Sequence, residues 1–231
     1  MGAFEQATMA TITLRVSGDR AKHSEELAIA DISAALDAAD GLAWIDMRNP
    51  GSEERAWLLA QGYHEMAVED CFKEPVPKAF VYDTHRFVVV RARDADREID
   101  TEFLCVFVTD DLLITVRHSA MPSVKNFGKR FGSRKIQRRV ELGAEYLLYE
   151  MLDAIADDWY RILGGYSERI DVLEDRVFDP NTIHTDLLQD LHELKQDLRE
   201  ISKSVSPLHE VVSRMMRPDQ DYITESCIIY W

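Results

Sequence analysis

The sequence predicts an α+β fold: a mixed α/β/α sheet part, then a long antiparallel helical hairpin. Three observations carry this reading. Every alternating or β-branched apolar run ends by Val116. Beyond about Pro122, apolar residues recur only at the helical spacings of three and four. A hydrophobic content of 46% over 231 residues is enough for one large domain or two small ones with a real core.

Residues 11–16 (TITLRV) alternate and predict a strand. Glu25 to Asp40 reads as helix, stopped by Gly41. Residues 42–46 (LAWID) predict a short buried strand, and Asn49-Pro50-Gly51-Ser52 a turn with Ser52 as N-cap. A helix follows to about Gln61, and another short one spans His64 to Phe72, closed by Pro75 and Pro77. Extended runs follow at 78–83, 86–92, 99–108 and 112–116, the last two a hairpin across Asp110-Asp111. Val140 to Phe178 predicts one helix about 58 Å long. After a break at Asp179-Pro180-Asn181, Leu187, Leu191, Leu194, Leu198, Ile201 and Val205 mark a second, which Pro207 is expected to kink and Pro218 to end. Asp219 to Trp231 opens as a third helix and stops after a few turns, as if the chain were cut inside an element. The expected organisation is a mixed α/β part over 1–121, a helical part over 122–217 and the start of a stalk helix over 218–231.

A net charge of −15 makes nucleic acid a poor partner for the chain as a whole. One segment runs the other way: Lys125, Lys129, Arg130, Arg134, Lys135, Arg138 and Arg139, with no acid among them. It reads as a helical face that offsets the acidic helix after it. Cys71, Cys105 and Cys227 are odd in number and far apart in sequence, which fits a reducing compartment without a disulfide framework. The N-terminus has no signal-peptide pattern, and no run approaches the roughly 18 apolar residues of a membrane span.

Enzyme and nucleotide motifs fail on inspection. His64-Glu65 opens like a zinc-protease motif, but Val68 stands where the second histidine belongs. Residues 128–133 (GKRFGS) have the wrong order for a phosphate loop. No nucleophile, base and oxyanion set can be assembled, so an enzyme is not expected.

The most charged helix is the most informative. Between Gly143 and Tyr160 an apolar stripe (Leu147, Leu148, Met151, Ile155, Trp159) is surrounded by Glu145, Glu150, Asp153, Asp157 and Asp158. Two carboxylates about 6 Å apart repel by roughly 3 kcal/mol at an effective dielectric near 20. A divalent cation or a basic surface is therefore expected close by. Asp153 lies beside the stripe, an expensive place for an unpaired carboxylate, so it needs a basic side chain or a cation. Most of the other carboxylates read as ordinary solvated charge.

Several short segments then occur in a telling order: Trp44-Ile45-Asp46, His64 through Val68-Glu69-Asp70, Pro77-Lys78, Leu113-Ile114-Thr115-Val116, Gly143 through Tyr149, Asp153-Ala154, Asp157, Tyr160, Leu173-Glu174, Leu194-Lys195 and Pro207-Leu208. In this order and spacing the chain resembles the cytoplasmic domain of the CorA family of divalent-cation transporters. The resemblance implies a homopentamer in the inner membrane, with this domain on the cytoplasmic side. It further implies a stalk helix leading to two transmembrane helices and a Gly-Met-Asn signature, a membrane part that is not in this sequence. It implies a regulatory Mg2+ between neighbouring domains, with Co2+ or Zn2+ as alternatives. Asp70 matches one ligand position, whose partner aspartate on the adjacent stalk would fall just after Trp231. Glu69 and Asp153 match a second site. Pro75-Val76-Pro77-Lys78 and Arg199-Glu200 depart from the family's common pattern and leave ion choice open. The implied function is ion sensing and gating in a Mg2+ or Co2+ transporter. The alternatives are a ZntB-like zinc transporter domain, kept alive by His64 and Cys71, and an acidic adaptor for a basic protein.

Overall fold

The computed structural model describes residues 10–17, 25–39, 41–178, 184–217, 219 and 222–231. Seven strands form one mixed sheet in the order β2-β1-β3-β7-β6-β5-β4. They are β1 (Thr11–Val16), β2 (Glu25–Glu26), β3 (Ala43–Arg48), β4 (Lys78–Val81), β5 (Arg86–Arg93), β6 (Thr101–Val108) and β7 (Leu112–Arg117). Only β3 and β7 pair in parallel; the other neighbours are antiparallel.

Period-2 alternation divides the strand residues between two cores. Ile45, Met47, Phe87, Val89, Cys105, Phe107 and Ile114 point to one face. There they meet α1 (Ile32–Asp37), α2 (Ser52–Ala60) and α3 (Glu65–Asp70) through Ile32, Leu58, Ala67 and Val68. Trp44, Val88, Val90, Leu104, Val106 and Leu113 point to the other. That face is covered by α4 (Pro122–Phe131), α5 (Arg134–Gln137), α6 (Ala144–Phe178) and α7 (His184–Met215). The result is three layers, α/β/α, with α6 and α7 running beyond the sheet as an antiparallel pair. Leu173, Leu187, Leu194, Ile201 and Leu208 are buried and belong to the same core. Tyr166 OH donates to Asp197 at 3.0 Å, and Arg176 pairs with Asp190 at 2.5 Å, tying α6 to α7. The α7 helix continues through Pro207 without interruption. Among the described residues, no helix is long and apolar enough to cross a membrane.

Three sequence expectations are corrected. The helix expected at Glu25–Asp40 is only α1 and one turn of 3-10 helix, because Glu25 and Glu26 pair with β1 as an edge strand. The long helix starts at Ala144 rather than Val140. Gly143 has φ +73, and a Cβ there would lie 2.6 Å from the Asp110 carbonyl oxygen, so the chain must turn sharply to bring Ala144 N to that oxygen. Finally, 222–231 does not form the helix expected from Asp219; it holds turns and a 3-10 turn at Ile228–Tyr230. Its side chains are used for docking instead. Tyr222 OH donates to the Ala79 carbonyl, Cys227 is fully buried, and Tyr230 packs edge-on against Tyr146 with ring centroids 5.2 Å apart.

Candidate functional site

The α3 helix is held by its sequence. His64 caps it, accepting the Met66 amide at 3.2 Å on Nδ1. Ala67 and Val68 bury the helix against the sheet, while Met66 is exposed. This orientation turns Glu69 and Asp70 towards the rim. Glu69 pairs with Lys73 one turn on, and that hydrogen bond holds its carboxyl below the usual value. Asp70 Oδ2 lies 2.5 Å from the ammonium of Lys78 on the edge strand β4, with about a quarter of each side chain exposed.

Asp153 stands on α6, where its partner is the basic segment. Arg130 reaches it from α4 with Nη1 3.0 Å from Oδ2, and also donates to Asp157. The bond to Asp157, then the charge of both carboxylates, hold the Arg130 guanidinium above its usual value. The need for a partner beside the apolar stripe is therefore met by an arginine.

Three further acids in the first half of this helix, Glu145, Glu150 and Asp158, are not solvated charge, which corrects the sequence reading for them. Glu150 is 0% exposed, Asp158 2% and Glu145 4%. Arg93 grips Asp158 through Nε at 3.0 Å and Nη2 at 3.3 Å, with Arg161 adding a contact at 3.0 Å. Glu145 accepts the Thr224 amide at 2.7 Å and lies 3.4 Å from Arg86. Glu150 meets Lys135 at 2.6 Å and accepts from Tyr146 OH. Burial first, then this bond to a carboxylate, raise the Tyr146 phenol well above its usual value. Arg86 and Arg93 sit on β5, some sixty residues upstream. No local spacing signals them, and only the strand register that points them at α6 reveals them. Lys78 carries no sequence signal as a partner of Asp70, whereas Arg130 belongs to the basic segment read as an offset to this helix.

The three sequence-predicted ligands are not brought together in one chain. Glu69 and Asp70 stand with α3 on one face of the sheet, and Asp153 stands with α6 on the other. A Mg2+ ion binds oxygens at about 2.1 Å and cannot span a sheet. Among the described residues, no three His, Cys, Asp or Glu side chains cluster so as to hold a metal. The residues that kept zinc in view are engaged elsewhere. His64 caps α3, while Cys71 is buried, donates to the Ala67 carbonyl at 3.4 Å and lies beside Cys105. Burial pushes the Cys71 thiol well above its usual value, the wrong direction for a thiolate ligand.

This architecture has close counterparts. The soluble domain of CorA from Methanocaldococcus jannaschii matches with a TM-score of 0.70 at 19% identity, over 95% of this chain and 84% of that one. The ZntB cytoplasmic domain from Vibrio parahaemolyticus matches with a TM-score of 0.67 at 12% identity, over 92% of this chain and 81% of that one. At such identities the likeness speaks for the fold alone. In sequence, the cobalt/magnesium transport protein CorA of Thermotoga maritima is 27% identical over 175 residues, 74% of this chain and 49% of that protein. The chain spans about half the length of the curated relatives it matches. The family model described as "CorA-like Mg2+ transporter protein" matches residues 39–230, most of the sequence. The chain belongs to the CorA-like Mg2+ transporter protein family.

Proposed function

We propose that this chain is the cytoplasmic ion-sensing and gating part of a divalent-cation transporter that carries Mg2+ or Co2+. In this reading the chain works as a homopentamer, anchored by membrane helices outside this sequence, and it is not an enzyme. Family membership supports the transporter class. The observation that carries the gating part is the placement of Glu69 and Asp70 on one face of the sheet and Asp153 on the other. Residues so placed can share a cation only between copies of the chain.

The carboxylates suit a weak hydrated Mg2+, which needs only one or two of them. Their present partners, Lys73, Lys78 and Arg130, form partly exposed pairs, typically worth about 1 kcal/mol or less. A divalent ion can displace them cheaply. Bound there, the cation supplies positive charge that offsets repulsion between the acidic faces of adjacent subunits. It favours the closed ring only by its differential affinity for the closed and open states. The test is Mg2+-dependent protease protection of the full-length protein. Asp70→Asn is expected to raise the Mg2+ concentration needed for protection, and Asp153→Asn to do so less. Protection unchanged in both variants would refute the reading.

A further inference from the structure

A second feature is independent of the cation sites. In a chain of charge −15, one cleft of about 530 Å³ is basic. Its charged lining is Arg15, Arg48, Arg117 and Lys125 against Asp46. Asp46 is fully committed to Arg117, which grips it through Nε at 3.0 Å and Nη2 at 2.7 Å, and it also accepts from Thr115 at 2.8 Å. Arg15, Arg48 and Lys125 therefore have no carboxylate within ion-pair distance among the described residues. The Nε atoms of Arg15 and Arg48 are both buried without a hydrogen-bond partner. Unpaired buried donors of this kind are costly unless something else accepts from them.

The topology explains why a cleft forms here. The strands β3 and β7 are the parallel pair, and their following helices leave for opposite faces. From β3 the chain passes to α2 on one side, and from β7 to α4 on the other. Adjacent parallel strands with diverging exits leave a crevice at their carboxyl ends, the usual place for a ligand in such sheets. Arg48 and Arg117 are the last residues of those two strands. The ten-residue helix α4 begins at the cleft and has no acid in its first turn, so its positive end adds to the field.

The site is also built rather than incidental. Arg15 stacks over Trp44, 5.2 Å from the ring centroid, and donates to the Gly128 carbonyl. A Cβ at Gly128 would lie 3.0 Å from the Arg15 guanidinium, so the glycine lets that side chain lie against α4. The Arg15 guanidinium is held below its usual value by burial, only partly offset by Asp46.

We propose that this cleft binds a small organic phosphate of the nucleoside di- or triphosphate class. The three cations without an ion-pair partner among the described residues match the charge of a polyphosphate. The volume lies within the usual range for small-molecule sites and is far larger than one phosphate needs. Trp44, Met121, Pro122 and Val124 supply an apolar wall for the non-phosphate part.

Isothermal titration of the chain with ADP, and separately with pyrophosphate, in divalent-free buffer tests this. Saturable binding with a Kd below about 1 mM is expected for ADP, with pyrophosphate weaker because it leaves the apolar wall unused. Arg48→Gln is expected to weaken ADP at least about tenfold, Lys125→Gln about threefold, and Lys195→Gln, far from the cleft, not at all. Lys125 is exposed, so its variant stays informative if Arg48→Gln folds poorly. Absence of saturable binding up to about 10 mM, or ADP affinity equal in wild type, Arg48→Gln and Lys125→Gln, would overturn the proposal. Glu69, Asp70 and Asp153 take no part, so failure here leaves the cation reading intact.

Discussion

The two halves of α6 carry similar numbers of acids and treat them in opposite ways. Between Ala144 and Tyr160 there are five carboxylates, and between Arg161 and Phe178 four. In the first half the helix lies on the sheet, and all five have a basic partner from β5, α4, the α5 region or α6 itself. In the second half it runs beyond the sheet. There Glu168, Asp171, Glu174 and Asp175 are exposed, and none has an ion-pair partner among the described residues. The same residue type is thus internal wiring in one place and solvated charge in the other. Net charge alone is a poor guide to where a cation is needed.

The largest effect should come from cutting the wiring. Asp158→Ala strands Arg93 in a nearly dry site, and is expected to cost about 3–5 kcal/mol in urea unfolding. Acid probes a group on the other face of the sheet. Burial lowers His85 from 6.5 to about 4. Its neutral form is favoured in the fold, so this stabilisation is complete above pH 6.5 and is lost as pH falls towards 4. It amounts to about 3 kcal/mol. His85→Phe should remove that slope, read by urea unfolding at several pH values.

Smaller effects separate the halves further. Arg130→Gln frees Asp153 and Asp157, both partly or well exposed. It should cost about 1 kcal/mol or less, while lowering the Mg2+ concentration that protects the full-length protein. Neutralising Asp171, Glu174 and Asp175 together, as Asn, Gln and Asn, should move stability by only about 0.5 kcal/mol per site or less, towards greater stability at low salt. A loss comparable to that of Asp158→Ala would mean the second half is wired too.

The parts legible in the sequence are those set by local period. The extended runs at 78–83, 86–92, 99–108 and 112–116 correspond to β4, β5, β6 and β7, shifted by one or two residues at some ends, and the apolar stripes correspond to the α6–α7 pair. The basic segment was read as an offset to the acidic helix, and Arg130 and Lys135 do pair with it. What local period cannot show is tertiary exchange. Glu25 and Glu26 form a strand because β1 has a free edge, and 222–231 gives up helix for docking. The burial of Glu145 and Asp158 depends on Arg86 and Arg93, about sixty residues away. Glu69 and Asp70 follow as candidate ligands from resemblance, and Asp153 from its place beside the apolar stripe as well; their separation by the sheet emerges only from the fold.

That separation makes the central claim testable on this chain directly. Sedimentation equilibrium with rising Mg2+ should show weak cation-dependent self-association, diminished by Glu69→Gln and by Asp153→Asn, the pair of candidate ligands that both lie within this chain. A chain that stays monomeric at every Mg2+ concentration, or association that neither substitution affects, would contradict the account.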